Sequence, residues 1–363
     1  MRATSKNPRA KGFATQGGAV TTWRQLAPQD FAQACALGTA VWYPTLIKKN
    51  SMKTKILLVA GVFAPTLAAL ESIYEVHRYF EASDKPAMLA ALKNDCSIIV
   101  TNGGRGVEAA IMAELPHLKL VACFGVGVDA IDLDYCKAHQ VVVSNTPDVL
   151  TEDVADLALA LLLASVRQVP AGDQFVRTGQ WTKGGMALTQ TLQGKRVGIV
   201  GMGRIGQAIA KRAVGFNTEI AYFGPRKKAD VIYQYFDDMI ALCNWADIVV
   251  GACPGGAQTE KIVSRAALQA LGKTGVFVNI ARGSIVDQDA LVALLVSGEL
   301  GGAGLDVFNN EPQVPQALWA LPHVVLHPHQ GSATHETRTA MGQLVLDNIV
   351  AYLNMRPLLT PVM

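Results

Sequence analysis

The sequence predicts an α/β protein made of two domains with doubly wound parallel sheets. Three observations point there. Short apolar runs alternate with stretches of helical periodicity along most of the chain, as strand–helix–strand units require. The runs form two series, with one long helical stretch between them. The chain has 363 residues, which suits two domains at roughly 100–200 residues each.

Buried strands are expected at 55–60 (KILLVA), 97–101 (SIIVT), 119–123 (KLVAC) and 141–143 (VVV), with helices near 84–93 and 107–114. The connecting helix is expected over 152–168. Glu152, Asp153 and Asp156 precede its apolar run Leu157–Val166, where a helix N-terminus favours negative charge. That run is too short for a bilayer span, which needs about 20 residues. The second series gives six strands, at 196–200 (RVGIV), 218–223, 247–252, 275–280, 303–307 and 323–327. A helix of period near 3.6 is expected over 334–353.

Composition narrows the function classes. Half of the residues are hydrophobic and 17% are charged, so a large core forms and global disorder is excluded. The net charge of +3 is unevenly placed. Residues 1–51 hold seven Lys or Arg and one acid, which leaves 25 basic and 28 acidic residues in 52–363, a net −3. A nucleic-acid surface is therefore not indicated. Six scattered cysteines, without a C-x-x-C pair, suggest neither zinc nor disulfides, and fit a reducing, cytoplasmic compartment. The basic segment 1–51 ends at Met52, just before the first strand. It reads as an extra N-terminal segment outside the fold, either upstream of a true start at Met52 or an acid-poor targeting sequence. The first reading is preferred.

The second series opens with Val197-Gly198-Ile199-Val200-Gly201-Met202-Gly203-Arg204-Ile205-Gly206. Here G-x-G-x-x-G follows a strand and precedes a helix. Its glycines suit a tight turn, close backbone approach to a pyrophosphate, and close helix–strand packing. The helix N-terminus offers free N–H groups to the phosphates. With five further strands behind it, the series reads as a complete dinucleotide-binding fold. About 20 residues on, an NAD site usually carries an acid for the ribose hydroxyl. This chain instead has Gly224-Pro225-Arg226-Lys227-Lys228. Arginine suits a 2′-phosphate that an acid would repel. The segment points to NADPH over NADH; the other reading is a solvated basic turn.

Three segments end the later strands, where ligands bind in open α/β sheets. They are 279–284 (NIARGS), 305–312 (LDVFNNEP) and 327–334 (HPHQGSAT). Reduction of a keto acid needs a cation for the carboxylate and ketone, a proton donor for the forming alkoxide, and an anion that keeps the donor charged. Arg282, His329 and Glu311 suit these roles. Taken singly, each also has a plainer reading: a surface arginine, a structural histidine (His327 or His329), a loop glutamate.

Together the segments resemble the D-isomer-specific 2-hydroxyacid dehydrogenase family over about 54–361. The matches are 201–206, 279–283, 304–308 with Glu311-Pro312, and 328–334, plus Phe124-Gly125-Val126-Gly127-Val128-Asp129 and Ser144–Thr151 earlier in the chain. The resemblance implies a Rossmann cofactor domain, 152–327, inserted into a flavodoxin-like substrate domain formed by 52–151 and 328–363. It implies catalysis by Arg282, Glu311 and His329. Backbone N–H groups near Arg105 and Gly106 would hold the substrate carboxylate. Cofactor contacts would come from Gly201, Met202, Gly203, Arg204, Ile205, Gly224, Pro225, Arg226, Lys227, Cys253, Pro254, Ile280 and Asp306. No metal is implied, and a homodimer is. Gly224-Pro225-Arg226 and Gln330 look like the glyoxylate and hydroxypyruvate reductase branch. Hydroxyphenylpyruvate reductases are similar, and Gln330 replaces the common isoleucine after the histidine. No serine-binding regulatory domain is expected. Corepressors of the C-terminal-binding-protein type share the fold, so a dinucleotide-sensing binding protein is the alternative of another class.

Overall fold

The computed structural model describes residues 53–362; the expectations for residues 1–52 lie outside them. Two wholly parallel sheets dominate the architecture. The first contains β1 (Lys55–Leu58), β2 (Glu75–Arg78), β3 (Ile98–Asn102), β4 (Leu120–Phe124) and β5 (Val142–Ser144), in the order β2-β1-β3-β4-β5. The second contains β6 (Arg196–Val200), β7 (Glu219–Phe223), β8 (Gln234–Phe236), β9 (Ile248–Gly251), β10 (Val276–Asn279), β11 (Gly302–Leu305) and β12 (Val324–Leu326). Its order is β12-β11-β10-β9-β6-β7-β8. Numbered within the sheet, six of these strands run 3-2-1-4-5-6, the arrangement of dinucleotide-binding folds, with β12 added at the far edge.

The central strands are β-branched and aliphatic on both faces, as burial between helix layers demands. Ile56, Leu57, Leu58, Ile98, Ile99 and Val100 have no exposed surface. Two strands were not expected from the sequence, β2 (EVHR) and β8 (QYF), so the second sheet has seven strands rather than six. Both lie at sheet edges, and each is partly exposed along its length. Edge strands need no continuous apolar run, so the pattern that reveals central strands is missing there.

The connecting helix is Thr151–Val166, with Glu152 and Asp153 in its first turn. It packs on helix Arg204–Val214 and on β10, β11 and β12, and therefore belongs to the second sheet. The last helix, His335–Leu353, returns to β4 and to helix Ala64–Ile73. Gly342 lets those two helices meet, because a Cβ there would sit 1.9 Å from Thr66 Oγ1. The chain end then returns beside β5, where an isolated antiparallel bridge joins Ser144 to Pro361 and Val362 N–H donates to Val143 O at 2.8 Å. Both crossings between the sheets converge on Asp153, whose Oδ2 accepts from the hydroxyls of Thr334 and Thr337. Among the described residues no single helix is long and apolar enough to cross a membrane.

Candidate active site

The carboxyl ends of the two sheets face each other across a cleft of about 1070 Å³. Its walls follow the points where strand order reverses. On one side they come from the ends of β1, β3 and β4, on the other from the ends of β6, β9, β10 and β11. This is where open α/β sheets bind ligands.

The glycine loop lies at the end of β6. Gly201 has φ +96°, and a Cβ there would lie 2.6 Å from Cys253 Cα. Gly206 has a packing reason too, since its Cβ would lie 2.1 Å from Gly201 O. Gly203 has neither constraint. Its φ is −77°, and no atom lies within 4 Å of a built Cβ. It caps helix Arg204–Val214 and lines the cleft with Arg204 and Ile205. Open space above a helix N-terminus, at a glycine the protein's own packing does not require, fits a cofactor pyrophosphate. Met202 is buried and does not line the cleft. Cys253, Pro254, Ile280 and Asp306 do. Burial pushes the Cys253 thiol up to about 11, so it stays protonated at neutral pH.

Gly224 follows β7 directly beside the loop, because Gly201 N–H donates to Phe223 O at 2.9 Å. Pro225, Arg226 and Lys227 form an exposed turn beyond it. The turn is pinned at both ends: Lys228 N–H donates to the Tyr222 hydroxyl at 2.8 Å, and the Tyr235 hydroxyl donates to Gly224 O at 3.0 Å. No carboxylate among the described residues pairs with Arg226 or Lys227.

Arg282 follows β10. Its backbone is held by the buried Asn279, whose side chain donates to Arg282 O at 2.8 Å and accepts from Ala281 N–H at 3.1 Å. His329 faces the same cleft. Its Nδ1 lies 2.6 Å from Glu311 Oε2, which leaves Nε2 for a ligand. Glu311 Oε1 accepts from Phe308 N–H at 3.0 Å. Burial works against charge on Glu311. Hydrogen bonds from His329 and Phe308, with the charges of His329 and Arg282, outweigh it and hold the carboxyl below its ordinary pKa.

His329 adopts φ +53°, a left-handed conformation that a residue with a Cβ reaches only when its surroundings impose it. Asp306 imposes it. Its backbone carbonyl accepts from His329 N–H at 2.8 Å, and its carboxylate accepts from Gln330 N–H at 2.8 Å and Gly331 N–H at 2.9 Å. The other histidine, His327, binds Asp306 through Nδ1 at 2.8 Å and belongs to this support.

One expectation shifts. Arg105 and Gly106 do not line the cleft. Arg105 N–H donates to Asn102 Oδ1 at 2.8 Å, its guanidinium pairs with Glu108 at 2.6 Å, and Gly106 N–H donates to Asn102 O at 2.9 Å. The loop spends those groups on itself, and Asn102, Gly103 and Gly104 face the cleft instead. One wall residue, Arg338, had no sequence signal. Arg338 lies 5.5 Å from the centre of the Phe124 ring, and burial lowers its pKa. Arg204, expected at the glycine loop, also pairs with Asp148 at 2.7 Å across the two sheets.

Comparison with known proteins gives the family. Residues 159–331 match the profile of the D-isomer specific 2-hydroxyacid dehydrogenase NAD binding domain. Glyoxylate/hydroxypyruvate reductase A of Arabidopsis thaliana is 46% identical over 293 residues, 81% of this chain and 94% of that protein. The chain belongs to the D-isomer-specific 2-hydroxyacid dehydrogenase family. It is thus an oxidoreductase with an NAD-binding domain. Hydroxyphenylpyruvate reductase of Plectranthus scutellarioides is 45% identical, with the same coverage. Among solved structures, the NADPH-dependent glyoxylate/hydroxypyruvate reductase of Sinorhizobium meliloti, in complex with NADP and malonate, superposes with a TM-score of 0.79. It shares 39% identity and covers 85% of this chain and 97% of its own.

Proposed function

We propose that the protein reduces a small 2-keto acid, glyoxylate or hydroxypyruvate, to the D-2-hydroxy acid with NADPH. The observation that carries this reading is the His329–Glu311 pair at 2.6 Å in one cleft with Arg282 and the open Gly203 cradle. The names of the relatives support the substrate class. On this reading residues 152–327 hold the cofactor, and 52–151 with 328–363 complete the substrate side.

A reduced nicotinamide, when bound, supplies the hydride to the substrate C2. Gly203, Arg204 and Ile205 would hold its pyrophosphate at the helix N-terminus. Arg226 and Lys227 would hold the 2′-phosphate. Arg282 binds the keto acid carboxylate and polarises the ketone. His329 Nε2–H donates the proton that makes the ketone oxygen a hydroxyl. Glu311 stabilises the imidazolium before the transfer. The balance is keto acid, reduced cofactor and one proton in; hydroxy acid and oxidised cofactor out.

An aromatic 2-keto acid is the second reading, favoured by the 45% identity to hydroxyphenylpyruvate reductase. For the assembly we propose a homodimer. Helix Val169–Arg177 and the segment after it leave Val169, Val176, Trp181 and Leu188 between 55% and 99% exposed, apolar side chains that a second copy would cover. The test of function is the initial rate of NADPH oxidation with glyoxylate, hydroxypyruvate and 4-hydroxyphenylpyruvate, repeated with NADH. Turnover of the small acids with NADPH is expected. No turnover of any acid would overturn the proposal.

A further inference from the structure

Asp129 sits on the loop after β4, and its partner Arg282 comes from the end of β10 in the other sheet. Arg282 Nε–H donates to Asp129 Oδ2 at 3.2 Å, with the two side chains 23% and 20% exposed. Arg282 Nη1–H donates to Ala281 O at 2.8 Å. Two edges of the guanidinium are therefore fixed, one of them from across the cleft. Nη2 is left. It points at the loops that end β3 and β4: a Cβ on Gly103 would lie 3.5 Å from it, and one on Gly127 would lie 1.6 Å from it.

The pair occupies a slot in which side chains have been removed on both sides. A Cβ at Gly255 would meet Asp129 Oδ2 at 2.7 Å and Arg282 Cγ at 2.8 Å. Gly127 and Gly255 come from opposite sheets, and neither tolerates a methyl group while the pair is formed. The loop that carries Asp129 is itself held, since Asn145 Nδ2–H donates to Val126 O at 2.8 Å.

We propose that Asp129 is the positioning residue for Arg282, aiming Nη2 at the substrate carboxylate beside Asn102–Gly104 and completing the carboxylate site only when the two domains meet. This rests on the keto acid reading of the cleft. Arginine carries several rotatable bonds, and its remaining N–H donors meet a carboxylate only when the guanidinium is pre-aimed. Without the carboxylate opposite, the guanidinium must be ordered by the substrate itself. A misplacement of about 1 Å can cost on the order of 100-fold in rate.

The test uses the full-length enzyme and two readouts. D129A should lower kcat/KM for the keto acid by about 10- to 100-fold, through a higher KM and a lower kcat, with the NADPH dissociation constant unchanged. D129N should lose less, because its amide oxygen still accepts from Nε–H. Oxamate, a carboxylate that is not reduced, should bind the NADPH-loaded enzyme more weakly in D129A. In an R282A background, D129A should weaken oxamate binding no further, since the two side chains act as a unit. Wild-type kinetics in D129A, or an equal loss of oxamate binding with and without Arg282, would overturn the assignment of Asp129. A wild-type enzyme that reduces no keto acid would instead overturn the reading of the cleft.

Discussion

Gly203→Ala and Gly206→Ala differ by three positions and should fail in opposite ways. At Gly206 a Cβ lies 2.1 Å from Gly201 O and 3.3 Å from Cγ2 of the fully buried Ile199, at the sheet–helix junction. Overpacking of this kind costs about 1–3 kcal/mol. For a domain of roughly 150–250 residues that corresponds to a fall in Tm of about 2–12 °C. At Gly203 nothing lies within 4 Å, and φ of −77° suits any residue. Alanine is a poorer N-cap than glycine by about 1 kcal/mol, and the freedom it removes from the unfolded chain offsets about 0.4–1 kcal/mol of that, so the net change in stability is small. The added methyl group projects into the space assigned to the pyrophosphate. Losing one charge-assisted hydrogen bond to the helix N-terminus, at about 1.5–3 kcal/mol, weakens binding about 10- to 100-fold. The assay is a thermal melt of both apo variants with an NADPH titration followed by fluorescence. The expected pattern is normal Tm with weak NADPH for G203A, and reduced Tm for G206A. Normal NADPH affinity in G203A would refute the argument that open space above that glycine belongs to a phosphate.

Four other outcomes follow from the geometry. H329A should lower kcat by about 10²–10⁴-fold, the usual contribution of a general acid, with NADPH affinity intact by fluorescence titration. R226A should raise the KM for NADPH about 10- to 100-fold through loss of a charge-assisted phosphate contact and leave that for NADH unchanged. Asp347 lies half-buried in helix His335–Leu353, and burial raises its pKa despite a 2.8 Å hydrogen bond from Gln343. A raised acid costs stability once pH exceeds its unfolded value of about 3.9, so D347N should melt higher than wild type at pH 7, with the gain vanishing as pH falls through that value. Replacing Trp181 and Leu188 with charged residues should shift the particle mass measured by light scattering toward the monomer.

The central strands, the glycine loop and the three strand-end segments were legible because each leaves a local trace. Central parallel strands read as unbroken aliphatic runs, and a phosphate loop needs its glycines at fixed spacing. The edge strands Glu75–Arg78 and Gln234–Phe236 leave no such trace, since one side of each faces solvent or a loop. Contacts made by distant residues were equally hidden. Asp129 meets Arg282 across 153 positions of sequence, and nothing near either residue announces the other. The β3 loop shows a third limit. The family resemblance pointed to a backbone that approaches a ligand here, but which N–H groups remain free depends on the Asn102 side chain, which takes Gly104 and Arg105 N–H for itself. A turn signal locates such a loop, and its internal hydrogen bonds decide which residues face outward.

Hydride transfer to C2 of a keto acid, with the proton delivered from the His329 side, is the central claim. Its most direct test is reduction of hydroxypyruvate by NADPH deuterated at the transferred C4 position, with the product analysed by chiral chromatography and mass spectrometry. D-glycerate carrying one deuterium at C2 is the expected product. L-glycerate, or glycerate without deuterium, would contradict the claim.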